Sequence, residues 1–543
     1  MNTSKVILVQ PPIEDFYLTK KRTIPYGLAS VAACVKEQGF DVEIIDALAT
    51  NKSKTIEYPE DFSYLKTYYN KKDTSFFSLF HEFKHFGYSY EYIGTKIRDK
   101  KPFVVGISSL FTAYFDAALK TAQIIKKFYP YCKIILGGHH PTVFPEKVLK
   151  FDAIDFVLRG EGETSMDKLC CALKRNRDLK EVPGIAFKEN NSFFVSKPSW
   201  IKNFKGLPIP ATDLINHNFY KRKNRDSTII VSSRGCPMQC SYCSVSASSA
   251  YAPFRQREVK DVIKEILYQK KTRDIGFIDF EDENLCLNKQ WFLSLFSQLK
   301  NIFTGMDIEL RAMNGLYPPS IDEEIVSLMK ASGFKTLNLS LGSTSKDQLK
   351  KFKRRDVRAS FENSLILARK HNLECVSYII AAAPGQTAKN SLEDLLYLAE
   401  KRTLVGLSIF YPAPGSLDYK LCQDKRILPG KFCLMRSTAL PINDTTSRLE
   451  AITLLRLSRI LNFMKHLMDT RGSIPGSQIF PGLKTSPALD RQNLSQKLLQ
   501  WFLHDGKIRG IHPKEGFYTH VTDKNLTQEF IKRIKNIKVS GMK

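Results

Sequence analysis

Short apolar runs of strand length recur along this chain, and between them the apolar positions switch to helical spacing. Val6-Ile7-Leu8-Val9, closed by Pro11-Pro12, reads as a first strand. Leu28, Val31, Ala32 and Val35 then fall on one face of a helix, with Gly39 near its end. Further strands are expected over 42–45, ending at Asp46, and over 103–107, 133–136 and 155–158. A long insertion precedes the second of these, and a helix through Lys127 follows it. Strands alternating with helices imply a parallel sheet, here a doubly wound, Rossmann-like α/β domain over 1–185. Ligands bind such sheets at the carboxyl ends of the strands. Those ends carry Pro11-Pro12, Ser108-Ser109, Gly137-Gly138 and Gly160-Glu161-Gly162, small residues that let a ligand approach the backbone closely.

Residues 186–226 read as a connector, kept extended over 207–213 by prolines, with one strand of a hairpin near Phe193. Over 227–428 the alternation resumes, with strands expected at 228–232, 276–280, 308–311, 336–341, 376–380 and 406–410. The second of these ends in Glu281-Asp282-Glu283-Asn284, acids that could equally cap the helix around Trp291. Residues 429–543 read as mostly helical. Ser447-Arg448-Leu449-Glu450 is a capping-box pattern, and Leu449, Ile452, Leu455, Ile460, Phe463, Met464 and Leu467 form a stripe that ends at Arg471-Gly472. Arg436, Trp501, His504, His512 and His520 are available to a substrate there, and the lysine-rich tail is expected to fray.

The 543 residues suit three or so domains. No apolar run approaches the ~18 residues of a membrane helix. Eleven unevenly scattered cysteines do not read as a disulfide framework, which points to a reducing cytosol. The formal charge of +27 raises an anionic partner such as nucleic acid or a membrane surface. The basic residues are spread along the chain, with only short clusters such as Lys350-Lys351-Phe352-Lys353-Arg354-Arg355, which favours a solvated lysine-rich surface instead.

One stretch carries chemistry outright. In Arg234-Gly235-Cys236-Pro237-Met238-Gln239-Cys240-Ser241-Tyr242-Cys243, three cysteines crowd one turn. Three thiolates can hold three irons of a [4Fe–4S] cluster and leave the fourth open. A structural zinc site would be closed by four ligands, usually in two separated pairs, and no histidine is near enough in sequence to complete the set.

CxxxCxxC with Tyr242 before the last cysteine resembles the signature of radical S-adenosylmethionine (SAM) enzymes. The resemblance implies a partial (β/α)6 barrel over 227–428, with SAM chelating the open iron and cleaved to a 5′-deoxyadenosyl radical. It implies that Tyr242 flanks the SAM site and that Asp282 or Glu283 receives the SAM amino group. Gly342-Ser343 departs from the family's Gly-x-Glu-Ser, leaving Ser343 for the ribose, and Arg358 is expected at the SAM carboxylate. Ala381-Ala382-Ala383-Pro384-Gly385-Gln386-Thr387 is similar to the family's Gly-x-Pro-Gly-Glu-Thr, with Ala382 for Gly and Gln386 for Glu.

The N-terminal domain resembles the cobalamin-binding domain placed before the barrel in one class of these enzymes. The likeness covers Pro11-Pro12, Pro25-Tyr26-Gly27-Leu28, Phe86-Gly87-Tyr88-Ser89, Val105-Gly106-Ile107-Ser108, Gly137-Gly138-His139-His140-Pro141-Thr142 and Gly160-Glu161-Gly162-Glu163. It implies a cobalamin bed built from Pro11, Tyr26, Gly27, Ser108, Ser109, Gly137, Gly138 and Glu161. No Asp-x-His-x-x-Gly occurs, so no imidazole is expected below cobalt, and His139 and His140 read as turn residues. The implied activity is methylation of an unactivated carbon of a small-molecule substrate, with an electron donor such as flavodoxin or ferredoxin. The same apparatus could instead close or rearrange a ring. Methylthiolation of transfer RNA would need three more clustered cysteines in the N-terminal domain and a β-rich C-terminal domain, and a non-catalytic corrinoid sensor would not need the strand-end motifs.

Overall fold

The first apolar run is buried on both sides, and that decides the N-terminal architecture. In the strand Lys5–Gln10, Ile7 and Val9 join one apolar cluster and Val6 and Leu8 another. Successive side chains point to opposite faces, so a run apolar at every position needs helices on both. Tyr26–Glu37 and Met166–Arg175 cover one face, and Tyr90–Lys100 and Phe115–Phe128 the other. The computed structural model describes residues 4–17, 24–245, 253–476 and 490–542. The sheet has seven strands, in the order Ser192–Val195, Ile185–Glu189, Phe156–Leu158, Lys133–Gly137, Val104–Ser108, Lys5–Gln10 and Asp41–Asp46. The last five are parallel. Chain order reverses between Lys5–Gln10 and Val104–Ser108, which opens a crevice at their carboxyl ends, at Pro11 and Ser108.

The domain does not stop at 185. The hairpin Ile185–Glu189 and Ser192–Val195 pairs antiparallel to Phe156–Leu158, so the sheet runs to Val195 and the connector is correspondingly shorter. The insertion after Asp46 contributes Phe83–Phe86 and Ser53–Ile56 to a small sheet completed by Ile13–Asp15. Its Phe62, Tyr69, Phe77 and Phe83 share one apolar core with the C-terminal half of the chain.

Six parallel strands follow: Arg225–Ile230, Ile275–Phe280, Glu309–Arg311, Thr336–Gly342, Glu374–Ala381 and Leu404–Ile409. They form two sheets joined by single bridges, Leu310 to Phe334 and Leu316 to Leu339. The barrel is therefore partial, and its last strand would expose an unpaired edge. The long helix Arg448–Arg471, opened by the capping box that Ser447 and Glu450 form, covers that edge. Asn462 accepts from the Val405 N–H at 2.8 Å and donates to the Val405 carbonyl at 2.9 Å, standing in for a seventh strand.

The C-terminal region is mostly helical, with one hairpin of Arg509–His512 and Gly516–Thr519. Its tail does not fray. The buried Lys465 ammonium donates to the carbonyls of Ala399, Lys401 and Ser540, and the Met542 N–H donates to Asp469 at 2.8 Å. Burial pushes Lys465 down to about 7, and the Asp469 carboxylate only partly offsets the cost of the buried ammonium. His520 faces Asp73 at 3.4 Å and so belongs to the joint with the insertion, while Trp501 packs edge-on to Phe517 within the C-terminal region itself. Arg436 serves another joint: it donates to the carbonyls of Glu14 and Ala113 and pairs with the buried Asp15 at 3.2 Å.

Candidate active site

Gly235 takes a φ of +82° and turns the chain out of the short strand Ser233–Arg234 into the cysteine loop. The loop is fastened at both ends and in the middle. Arg234 reaches back to the N-terminal domain, 2.5 Å from Glu163 and 3.3 Å from Glu161. The Ser241 N–H donates to the Phe352 carbonyl at 3.0 Å and its hydroxyl to Asp418 at 3.0 Å. Arg354 donates to the Tyr242 hydroxyl at 2.7 Å and to the Ser340 hydroxyl and carbonyl, each at 2.9 Å.

Cys236, Cys240 and Cys243 line one cavity of about 580 Å³ at the carboxyl ends of the barrel strands, with Tyr242, Glu283 and Arg354. That volume suits a cofactor-sized ligand. Among the described residues, no three His, Cys, Asp or Glu side chains converge on one point as ligands of a single ion do. All three cysteines do line the same cavity, which fits thiolates that each take a different corner of a cluster. Next to the start of the loop, where the Gly235 backbone reaches it, burial pushes the Glu283 carboxyl up to about 7. Beside it, both polar atoms of the buried Asn284 amide lack a hydrogen-bond partner. An orphaned amide and a carboxyl whose charged form a neighbouring cation would favour suit a ligand carrying an ammonium group.

The expected SAM contacts divide. Tyr242 and Glu283 face the cavity. Asp282 does not: it is fully enclosed and accepts from the Ser232 and Ser233 hydroxyls, so it anchors the strand ahead of the loop. None of the acids caps the next helix either, since Asn288 accepts from the Trp291 N–H. Ser343 points away from the cavity and donates to Asp394 at 2.9 Å, and the wall at that strand end is Ser340 and Gly342. Arg358 is paired with Asp356 at 2.5 Å outside the cavity, and the guanidinium inside it belongs to Arg354. At the fifth strand end, Ala382 adopts a left-handed φ of +60°, the conformation the glycine of the similar motif would take without strain. Gln386 closes that turn, accepting from the Ala383 N–H at 3.1 Å and donating to the Ile380 carbonyl at 3.0 Å.

Burial raises Asp394 to about 6, and the hydrogen bonds from Thr344 and Ser343 only partly offset it. An acid whose pKa is higher folded than unfolded loses stability as pH rises from its unfolded value, 3.8, through about 6. Urea midpoints should show the gap between the native protein and Asp394→Asn shifting by about 2 kcal/mol in the variant's favour from pH 4 to pH 7. A gap that stays constant across this range would contradict the burial argument.

In the N-terminal domain, Pro11, Pro12, Ser108 and Ser109 line the crevice at the chain reversal, together with Phe111 and Tyr114. The buried Ser109 hydroxyl has no partner, and the Cβ direction of Gly137 opens into free space. Gly138 has a φ of +119°, and a Cβ there would lie 2.6 Å from the Ser109 carbonyl oxygen, so only glycine keeps these strand ends together. Phe111 is 50 % exposed and Leu110 52 %, an apolar rim beside the orphaned hydroxyl. The crevice encloses only about 80 Å³, room for the edge of a ligand whose body would lie outside over the strand ends.

Two residues expected in this bed serve elsewhere. Tyr26 sits under the barrel helix Val259–Thr272, its hydroxyl 3.4 Å from both Glu265 and Arg257, with Gly27 exposed beside it. Glu161 accepts from Arg255 at 2.9 Å and from the Ile201 N–H at 2.7 Å, pinning the two domains together. His139 and His140 open the short helix His139–Val143. His139 Nε2 is 3.0 Å from the Pro414 carbonyl oxygen. His140 Nδ1 is 3.2 Å from the Thr112 hydroxyl, its ring is packed against Phe115, Phe144 and Phe432, and burial lowers it to about 3.

Comparison with known proteins finds two family matches. Residues 78–169 match the B12 binding domain and residues 230–398 the Radical SAM superfamily. An uncharacterized methyltransferase of Pyrococcus horikoshii is 28% identical over 425 residues, 77% of this chain and 82% of that one. An anaerobic magnesium-protoporphyrin IX monomethyl ester cyclase of Synechocystis is 27% identical over 48% of this chain and 52% of its own, so the chain spans about half the cyclase. Among solved structures, the radical SAM methyltransferase TsrM of Kitasatospora setae, with cobalamin and a [4Fe–4S] cluster bound, shares the fold. The TM-score is 0.57 at 15% identity, over 78% of this chain and 75% of that one.

Proposed function

The chain is a radical SAM enzyme with a B12-binding domain ahead of its barrel, and from that premise we propose that it methylates an unactivated carbon of a small molecule held between the two domains. One observation carries the reading: the carboxyl ends of the two sheets face each other. His139, just past the strand Lys133–Gly137, meets Pro414, just past the last barrel strand, and Arg436 bridges from the barrel side to Asp15 and Ala113. A substrate between them is within reach of both cofactor sites.

When bound, the cluster supplies the electron that cleaves SAM to a 5′-deoxyadenosyl radical, and cobalamin supplies the methyl group. The chain's own residues do the rest. Cys236, Cys240 and Cys243 would hold three irons as thiolates, leaving the fourth for SAM. Glu283 and the Asn284 amide receive the SAM amino group. Arg354, oriented by Tyr242 and Ser340, holds the SAM carboxylate. Pro11, Ser108, Ser109, Gly137 and Gly138 bed the cobalamin. His139 is committed to Pro414 and His140 to an aromatic cage, so neither would serve as a ligand to the cofactor. The electron arrives from a flavodoxin- or ferredoxin-type donor, and an oxygen-sensitive cluster suits a reducing cytosol. Among the described residues, no helix is long and apolar enough to cross a membrane.

The test is the product ratio. Reduced enzyme with SAM, cobalamin and substrate should form 5′-deoxyadenosine and S-adenosylhomocysteine in comparable amounts, because each turnover uses one SAM as radical source and one as methyl donor. Deoxyadenosine alone would favour ring closure or rearrangement, the reading that the likeness to the cyclase keeps open. The full-length Gly137→Trp variant should lose hydroxocobalamin binding, since the indole fills the open space above that Cβ direction. Unchanged binding would move the cobalamin bed elsewhere.

A further inference from the structure

We infer that the turn 350–355, beside the cysteine loop, is the docking surface for an acidic one-electron carrier protein. The inference rests on the reading of Cys236, Cys240 and Cys243 as cluster ligands. The helix Lys346–Lys351 ends in this turn, with Lys353 at a left-handed φ of +52°. The Lys353 N–H closes onto the Lys350 carbonyl at 3.1 Å and the Arg354 N–H onto the Leu349 carbonyl at 2.9 Å. Lys350, Lys353 and Arg355 are left exposed together. Among the described residues none of the three makes an ion pair, whereas Lys289 is paired twice, with Asp322 and Glu324, and Lys425 pairs with Asp444. Asp356 is taken by Arg358, and Asp418 senses Lys353 only at a distance, being held by Ser241. Like charges gathered without counter-charges repel one another, and an acidic partner would offset that cost.

The location gives the patch its meaning. Phe352 and Arg354, within the same turn, are hydrogen-bonded to Ser241 and Tyr242 of the cysteine loop. On the outer side of that loop, Pro237 and Gln239 are exposed and a recess of about 390 Å³ opens, lined by Cys240, Lys353 and Arg355 among others. The inner side is the cavity expected to take SAM, so an electron has to enter from outside. Cys240 belongs to both walls. A carrier seated on the turn would bring the edge of its flavin or iron–sulfur group into the recess. One electron then passes to the cluster, the carrier being oxidised and the cluster reduced by one, with no bond made or broken. Nucleic acid is the less suited occupant: the cations sit on a single turn, while backbone binding of a strand needs a basic track interleaved with stacking aromatics.

The test uses the full chain carrying Lys350→Glu, Lys353→Glu and Arg355→Glu, with reduced flavodoxin as the probe. The affinity of cluster-free protein for flavodoxin should fall about tenfold or more, and the flavodoxin-driven bleaching of the cluster should slow by a similar factor and lose its dependence on salt. Reduction by dithionite should match that of the native protein. Flavodoxin binding and bleaching at native rates in the variant would overturn the docking site, as would a variant that loses RNA binding and keeps flavodoxin binding. Native protein that takes up no cluster would instead remove the underlying reading of the cysteines, and the docking site with it.

Discussion

Protein carrying Cys236→Ala, Cys240→Ala and Cys243→Ala together should fold, bind no cluster and show no visible absorbance, where native protein reconstituted without oxygen binds about four irons. The fold should survive because the thiols do not hold the loop. Ser241 ties it to Phe352 and Asp418, Tyr242 to Arg354, and Arg234 to Glu163. The other eight cysteines should not rescue the site. Cys34, Cys132, Cys170, Cys286, Cys375, Cys422 and Cys433 are buried, and Cys171 is half-buried on the helix Met166–Arg175 of the N-terminal domain. Iron and sulfide analysis with urea midpoints separates the two effects. A triple variant that keeps a full cluster would move the ligands off this loop, and one that fails to fold would show that the thiols carry packing after all.

What could be read in advance was whatever local pattern determines. Val6 to Val9 is apolar at every position, which is the signature of a strand covered on both faces, and the sheet is indeed covered on both. Ser447 and Glu450 are three residues apart, and they form the box that the spacing implies. The cysteines shared one turn and so shared one cavity. Partners distant in sequence stayed hidden. Glu161 sits on a glycine-rich strand end, the usual place for a ligand contact, yet Arg255, 94 residues on, occupies it. Asn462 looks like any polar residue on a helix until the unpaired Val405 edge is beside it. Asp282 and Glu283 are neighbours of the same charge, but backbone direction sends one into the protein and the other into the cavity. Asn284 had a signal that could have been used, a polar side chain at the end of a buried strand, but an amide is less conspicuous than the acids preceding it.

The same limit explains the exchange of Arg358 for Arg354, which sets the second large effect. Arg354→Gln should weaken SAM binding to cluster-loaded protein about 100-fold, the loss expected when a desolvated carboxylate gives up a charged partner. Arg358→Gln should bind SAM as the native protein does, because its guanidinium is already held by Asp356 outside the cavity. Only Arg354 is both in the cavity wall and fixed in direction, by the Tyr242 hydroxyl at 2.7 Å and Ser340 at 2.9 Å. A guanidinium pinned on one side keeps its remaining donors aimed, so little ordering is left to lose when a carboxylate arrives. Tyr242→Phe isolates that contribution: the charge stays while one restraint goes, and affinity should fall by much less than in Arg354→Gln. Equilibrium dialysis with SAM, run beside iron analysis to show that each variant keeps its cluster, gives the comparison. Weak binding in Arg358→Gln with native affinity in Arg354→Gln would return the carboxylate to the residue that sequence similarity had suggested.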